Sequence, residues 1–350
     1  PTLAPPGPRR MSGRRRAVVA GLTGLALAAT AACTTGDGPA PDPTAETPAR
    51  LVILRVGPLN TQNTLTLAVR GGRLLEPVHE AVRTVGASGA RVDEVASFPA
   101  FAPAAEAMAA GQIDVTSGSV TSLVAALEGT PDPVVFAVEI SDGDTQGIVA
   151  APGTGIETVA DLAGRRVAFN EGGTGDYLLR LALDGAGMSV DDVVPVPLSP
   201  PEAAAAFATG RVDAWATWDQ YLAAAELTDG ARLVATAADI GATNPTVHVV
   251  SRAFLTEHPE VVVAMFNALV EQAEAVEADP SLLEQAYRDA GADDGVAAAV
   301  AAKRPPTIVP ADDAFADDVA AVAEFYAAQG LTPAVVVTAG ATVDVRDLGP

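Results

Sequence analysis

Two stretches of this 350-residue chain, 51–128 and 164–227, are written to one plan, and that repeat limits the fold more than any other feature. Each opens with an apolar strand (LVILRV; RRVAF) that runs into a polar loop (GPLNTQNT; NEGGTGD) and a helix. A second strand follows (RVDEVASFP; VVPVPLSP), then an alanine-rich helix (APAAEAMAAG; PEAAAAFATG). The nearest match is GQIDV at 111–115 with GRVDA at 210–214: a helix-ending glycine, a spacer, an aliphatic residue and an aspartate before a loop. Strands that alternate with helices form parallel α/β sheets. Ligands bind such sheets beyond the carboxyl ends of the strands. Two copies of the unit predict two lobes with a cleft between them, lined by both sets of strand-to-helix loops.

Local signals mark the element boundaries. Ser199-Pro200-Pro201-Glu202 is a capping box with proline in the first turn. Thr217-Trp218-Asp219-Gln220 reads as a second capping pattern, which starts a helix at Thr217 and ends the preceding strand near Trp215. The remainder, about 244–350, lacks the repeat and holds a long helix (PEVVVAMFNALVEQAEAVEA). It is expected to return and complete the first lobe, with crossovers near 138–150 and 235–247. The expected domains are 50–141 for the first part of lobe 1, 142–242 for lobe 2, and 243–350 for the return to lobe 1.

The first 32 residues form a separate block. They carry Arg9, Arg10, Arg14, Arg15 and Arg16 without an acid, then AVVAGLTGLALAATAA, and Cys33 follows. A basic region, a short apolar run and a small-residue cleavage site describe a signal peptide. Met11 is a candidate start, and RRAVV leaves a twin-arginine route open beside the general one. TAAC at 30–33 is similar to a bacterial lipobox, with Thr30 where leucine is usual, so Cys33, the only cysteine, is the expected lipidation site. The stretch 33–49, rich in Pro, Thr, Gly and acid, reads as a flexible linker from that anchor. A net charge of −23 argues against nucleic acid or an anionic lipid surface as partner. Membrane attachment is expected through the lipid anchor only.

SFPAFAPAAEAMAAGQIDVTSGSVTSLVAALEG (97–129), DLAGRRVAFNEGGTGDYLLRLAL (161–183), LSPPEAAAAFATGRVDAWATWDQYLAAA (198–225) and TNPTVHVVSRAFLTEHPEVV (243–262) resemble the substrate-binding proteins of ABC importers, in the aliphatic sulfonate, taurine and nitrate branch. VDAWATWD is the most specific piece, and Gln220 stands where that family usually has proline. The resemblance implies a two-lobed periplasmic-binding-protein type II fold, α/β, with a mixed, mainly parallel sheet in each lobe. It implies a monomer outside the cytoplasm, on the outer face of the cell membrane, that delivers a small organic anion or zwitterion to ABC permease subunits. Nitrate, bicarbonate, or a pyrimidine or thiamine precursor are alternative ligands. A surface sensor and a pyrimidine-synthesis-type enzyme are the alternative classes.

The four loops expected at the cleft, GPLNTQNT, TSGSVTS, NEGGTGD and ATWDQ, hold hydroxyls, amides and glycines but no Lys or Arg. An anion there would be held by backbone N–H groups and helix N-termini. The candidate ligand-binding residues are Gln62, Asn63, Ser117, Gly118, Ser119, Gly172, Gly173, Thr174, Trp215, Trp218, Asp219 and Asn244. Both tryptophans of the chain are in this set, and either a core role or a place at the cleft mouth fits them. Glu171, Asp176 and Asp219 offer an alternative, receiving an ammonium. His79, His248 and His258 are scattered, and the sequence shows no metal-ligand spacing, phosphate loop or serine nucleophile elbow. No catalytic residue, metal or cofactor is expected.

Overall fold

A computed structural model describes residues 51–127, 133–141, 143–242, 244–303, 306–332, 334 and 338–349. The expected signal peptide, Cys33 and the linker lie outside the described residues. Lobe 1 opens with β1 (Leu51–Val56), α1 (Thr64–Arg70), α2 (Leu75–Thr84), β2 (Gly89–Glu94), α3 (Phe101–Ala109), β3 (Val115–Ser119), α4 (Val120–Leu127) and β4 (Pro133–Ile140). The chain crosses to lobe 2 for β5 (Gln146–Ala150), β6 (Arg166–Phe169), α5 (Thr174–Gly185), β7 (Val194–Pro197), α6 (Pro200–Ala208), β8 (Ala214–Trp218), α7 (Asp219–Glu226) and β9 (Arg232–Thr236). It returns through β10 (Thr246–Ser251), α8 (Arg252–Glu257), α9 (Pro259–Ala278), α10 (Ser281–Asp289), α11 (Asp294–Ala301), β11 (Thr307–Pro310) and α12 (Asp313–Ala328).

The strand order is β11-β4-β10-β3-β1-β2 in one sheet and β7-β6-β8-β5-β9 in the other. The repeat-derived strands pair in parallel: β1 with β2 and β3, and β6 with β7 and β8. Each crossover strand enters antiparallel, β10 between β3 and β4, and β5 between β8 and β9. Strand β1 alternates as a half-covered strand must, with Val52, Leu54 and Val56 buried and Leu51 and Ile53 exposed. Strand β4 (PVVFAVEI) is buried from Pro133 to Glu139 because helices cover both faces of that sheet. The box at Ser199 forms: Glu202 Oε2 accepts from Ser199 N at 3.1 Å.

The repeat extends to its polar contacts. Asp114 Oδ2 accepts from Arg55 N (2.8 Å) and Arg55 Nε (2.9 Å). Asp213 Oδ2 accepts from Arg166 N (2.8 Å) and Arg166 Nε (3.1 Å). Each guanidinium also donates to the carbonyl of the preceding helix-ending glycine, Gly111 or Gly210. Those glycines have φ of 68° and 66°, a left-handed conformation that ends a helix without side-chain strain. The aspartate of GxxD therefore locks the Ala-rich helix, the following strand and the neighbouring strand together. We expect Asp114→Ala to cost about 1–2 kcal/mol, the penalty for stranding a buried donor next to a half-exposed arginine. A urea midpoint reads that loss; unchanged stability with lost ligand affinity would move Asp114 from the scaffold into the cleft.

In the C-terminal part, α10 and α11 pack against α7 of lobe 2, where Tyr287, Ala297 and Val300 bury Ala223. In turn, Tyr177 of α5 stacks edge-on against Phe325 of α12, with ring centroids 5.3 Å apart.

Candidate functional site

A cavity of about 190 Å³ lies at the carboxyl ends of both sheets. It is smaller than the several hundred Å³ typical of drug-sized ligands, so it suits a small molecule. Its walls come from the β1–α1 loop (Leu59, Gln62, Asn63, Thr64), the end of β3 (Gly118, Ser119), Glu139 of β4, Asn170 and Thr174 before and in α5, and Trp218, Asp219 and Gln220. Tyr287 of α10 and Lys303 after α11 close it from the C-terminal part.

Of the candidate residues, Gln62, Asn63, Gly118, Ser119, Thr174, Trp218 and Asp219 line this cavity. The others do not, each for a local reason. Strand β8 runs to Trp218, three residues beyond the expected end, because β5 pairs with it through Gln146↔Trp218. Side chains alternate along it, so Trp215 is turned away from the cleft and buried, 3% exposed. It packs against Phe207 and Tyr221, each ring 6.0 Å away. Trp215 is thus a core residue, a correction to its expected place at the cleft mouth. The helix starts at Asp219 rather than Thr217: Thr217 is a buried strand residue whose hydroxyl finds no hydrogen-bond partner among the described residues. Ser117 is buried under the floor, its Oγ 3.0 Å from His248 Nδ1. Gly172 N is taken by Asp176 Oδ2 at 3.0 Å, and a Cβ at Gly173 would run into Asn170 Nδ2. These two glycines shape the loop and do not face the cavity. Asp176, fully buried, holds Arg180 Nε at 2.6 Å, and Glu171 is exposed outside the cavity.

Asn244, 4% exposed, joins the two lobes beside the cleft. Its Oδ1 accepts from Thr121 N (3.2 Å), and its Nδ2 donates to Thr174 Oγ1 (3.1 Å) and Gln146 Oε1 (3.3 Å). Gln146 Nε2 returns a bond to the Asn244 carbonyl at 2.8 Å. Both crossovers are therefore tied to α4 and α5 by one amide.

One end of the cavity is acidic. Glu139 Oε2 accepts from Thr64 N and from His248 Nε2, each at 3.0 Å. Asp219 accepts from the Tyr287 hydroxyl at 2.6 Å. Although Asp219 as a whole is only partly buried, its carboxylate is enclosed, and burial pushes its pKa up to about 6. The Tyr287 hydrogen bond opposes that rise, and the charge of Glu139 adds to it. Asp219 has φ 52°, the only non-glycine with positive φ among the described residues. Such strain is kept where surrounding structure enforces it, often at functional sites.

The sequence does not announce Glu139, Tyr287 or Lys303. Glu139 has a faint signal, one acid in the apolar run PVVFAVEI. Tyr287 and Lys303 come from outside the repeat, and only packing brings them in. Lys303 supplies the cation that the four loops lack, but its Nζ donates to the Asp144 carbonyl at 2.9 Å and lies 3.8 Å from Glu226 Oε2.

Two sheets joined by paired crossovers, with a cavity between their strand ends, define the two-lobed class of solute-binding fold. The profile of the NMT1/THI5-like family matches residues 96–282, over half the chain, and the protein belongs to that family. An aliphatic sulfonates-binding protein of Escherichia coli K12 is 40% identical over 147 residues, 42% of this chain and 46% of that protein. One of Bacillus subtilis 168 is 31% identical over 176 residues, 49% and 53% of the two chains. The chain thus spans about half the length of the curated relatives it matches. The alkanesulfonate-binding protein of Xanthomonas axonopodis pv. citri, solved with MOPS, superposes with a TM-score of 0.73 at 29% identity, covering 83% of this chain and 98% of that one.

Proposed function

We propose that this protein is the extracytoplasmic solute-binding component of an ABC importer, which captures a small organic sulfonate and presents it to a permease. The observation that carries the reading is the position of the cavity. It lies between two lobes linked by paired crossovers, where closure around a ligand and release on opening need only hinge movement. The kinship with sulfonate-binding proteins supports that ligand class. Hydroxyls of Ser119 and Thr174 and the amide of Gln62 suit sulfonate oxygens as donors. Native mass spectrometry of freshly purified protein, then calorimetry with alkanesulfonates, nitrate and bicarbonate, tests it. Saturable one-to-one binding of a sulfonate supports the reading; binding of nitrate or bicarbonate alone would replace the ligand class.

The same reading places the chain as a monomer on the outer face of the cell membrane, held by a diacylated Cys33. No helix among the described residues is long and apolar enough to cross a membrane. Two acyl chains, at about 0.8 kcal/mol per buried CH₂, hold a protein stably where one is marginal. Cys33→Ser is expected to move the protein from the membrane fraction to the soluble fraction or leave it unprocessed. Unchanged fractionation and mass would refute the anchor.

A further inference from the structure

The cavity offers a donor to an anion and sets a carboxylate beside it. Gln62, 4% exposed, lines the cavity with Nε2 buried and unpartnered, while its Oε1 is turned to Arg70 Nη1 at 3.4 Å. Buried polar atoms are nearly always paired in a finished site, so this N–H group marks where an acceptor belongs. The backbone N–H of the same residue donates to the Tyr287 hydroxyl. That hydroxyl donates in turn to Asp219, 2.6 Å from both Oδ1 and Oδ2. One tyrosine thus brings the waiting donor and a carboxylate together in the cavity wall.

Asp219 and Glu139 both line this small space. Glu139 Oε2 accepts from Thr64 N and His248 Nε2, and Asp219 accepts from Tyr287 and from the Gln220 backbone N–H. The other titratable or charged side chains facing them are His248 of β10 behind Glu139, Tyr221 of α7, Tyr287 of α10 and Lys303 after α11. Lys303 Nζ lies 3.9 Å from Asp144 Oδ2 and 3.8 Å from Glu226 Oε2, so two acids already meet its charge. An anion that enters faces carboxylates without a free cation, and a like charge disfavours their ionised form. Asp219 is the one poised to respond, because burial has already pushed its carboxyl up to about 6.

We propose that the protein takes up a proton together with its sulfonate, and that the proton rests on Asp219, whose carboxyl then donates to a sulfonate oxygen held beside Gln62. The inference rests on the sulfonate-binding reading and adds what governs affinity at that site. Protonation removes a like charge and turns a group that only accepts into one that also donates. An O–H donor to an anionic oxygen belongs to the shorter, stronger class of hydrogen bond. Tyr287 keeps its partner, because its hydroxyl reaches both carboxylate oxygens and one of them stays an acceptor. The sulfonate is ionised throughout, so the proton comes from the buffer and not from the ligand. The complex then holds more protons than the free protein above pH 6, so affinity rises as pH falls and levels off below that point.

The test is calorimetry with 1-butanesulfonate, which has no group that titrates between pH 5 and 8. Titrations at pH 7.5 in buffers of different ionisation enthalpy count the protons, and wild type is expected to take up about 0.5–1 per ligand. Its affinity at pH 5.5 is expected to exceed that at pH 7.5 by about 10-fold or more. Asp219→Asn should take up almost none and bind with less than about 3-fold change between the two pH values. Asparagine tolerates the left-handed backbone at 219, so the substitution removes the titrating group without breaking the turn. A melting curve establishes that the variant is folded, and the wild-type proton count decides the proposal without it. Imidazole is the other side chain that changes charge in this range, and uptake at His248 would survive in the variant. Sulfonate binding with no proton uptake and no pH dependence leaves the sulfonate reading standing and refutes the proposal. Uptake that persists in folded Asp219→Asn refutes Asp219 as the proton's site. If 1-butanesulfonate and shorter alkanesulfonates fail to bind at either pH, both readings fall.

Discussion

Asp219→Asn is expected to make the unliganded protein more stable at pH 7.5, by about 2–3 kcal/mol. The direction follows from linkage. Burial raises the Asp219 carboxyl from its ordinary 3.8 to about 6 in the folded protein. Below about pH 4 the group is protonated folded and unfolded, and it costs nothing. Between about pH 4 and 6 the unfolded chain ionises first, so stability falls as pH rises. Above pH 6 both forms are charged and the penalty is constant. One pKa unit is worth about 1.36 kcal/mol, so the full shift sets an upper bound near 3 kcal/mol. Asparagine has no such penalty, and its Oδ1 still accepts from Tyr287. Urea midpoints of both proteins at pH 4, 5, 6 and 7.5 should coincide at the acid end and diverge above it. Equal midpoints at every pH would mean that Asp219 is solvated and that the acidic end of the cavity is open water.

That residue also separates what the sequence makes legible from what it does not. The repeat is legible because it rests on local rules: apolar alternation in β1, a glycine that ends a helix, the box at Ser199. The GxxD match was visible as a pattern, but its partners, Arg55 and Arg166, are set by strand pairing. At Thr217 a local rule misleads. The stretch Thr217–Gln220 has the composition of a helix cap, yet pairing with β5 extends the strand through Trp218. The cap then falls on Trp218, and Asp219 takes the positive φ. That shift of register turned Trp215 away from the cleft and left Trp218 in it. The loop candidates in GPLNTQNT were readable since strand-to-helix loops line such clefts by topology alone. Glu139 was not, because its place in the cavity wall depends on His248 from an antiparallel neighbour and on the start of α1. Nor were Tyr287 and Lys303, which reach the cavity only because α10 and α11 lie on α7.

The two tryptophans are expected to behave as opposites. Trp215 fills a pocket between Phe207, Tyr221 and the helices of lobe 2, at 3% exposure. Truncating it to alanine leaves a large cavity and is expected to cost about 3–5 kcal/mol, with affinity in the surviving folded protein nearly unchanged. Trp218 stands at the end of β8 with its ring edge-on to Tyr221, centroids 6.0 Å apart, and lines the cavity. Trp218→Ala is expected to cost little stability and to weaken ligand binding about 10-fold or more, as removal of a central aromatic contact does. Emission divides them further. With no third tryptophan in the chain, Trp218→Phe leaves only the buried indole, and Trp215→Phe leaves only the one in the cleft. A ligand whose binding is established by calorimetry should shift or quench emission in Trp215→Phe, with saturable dependence, and leave emission in Trp218→Phe nearly constant. Should the response persist in Trp218→Phe and vanish in Trp215→Phe, the ligand would have to sit on the other face of β8. The cavity between the sheet ends would then not be the binding site.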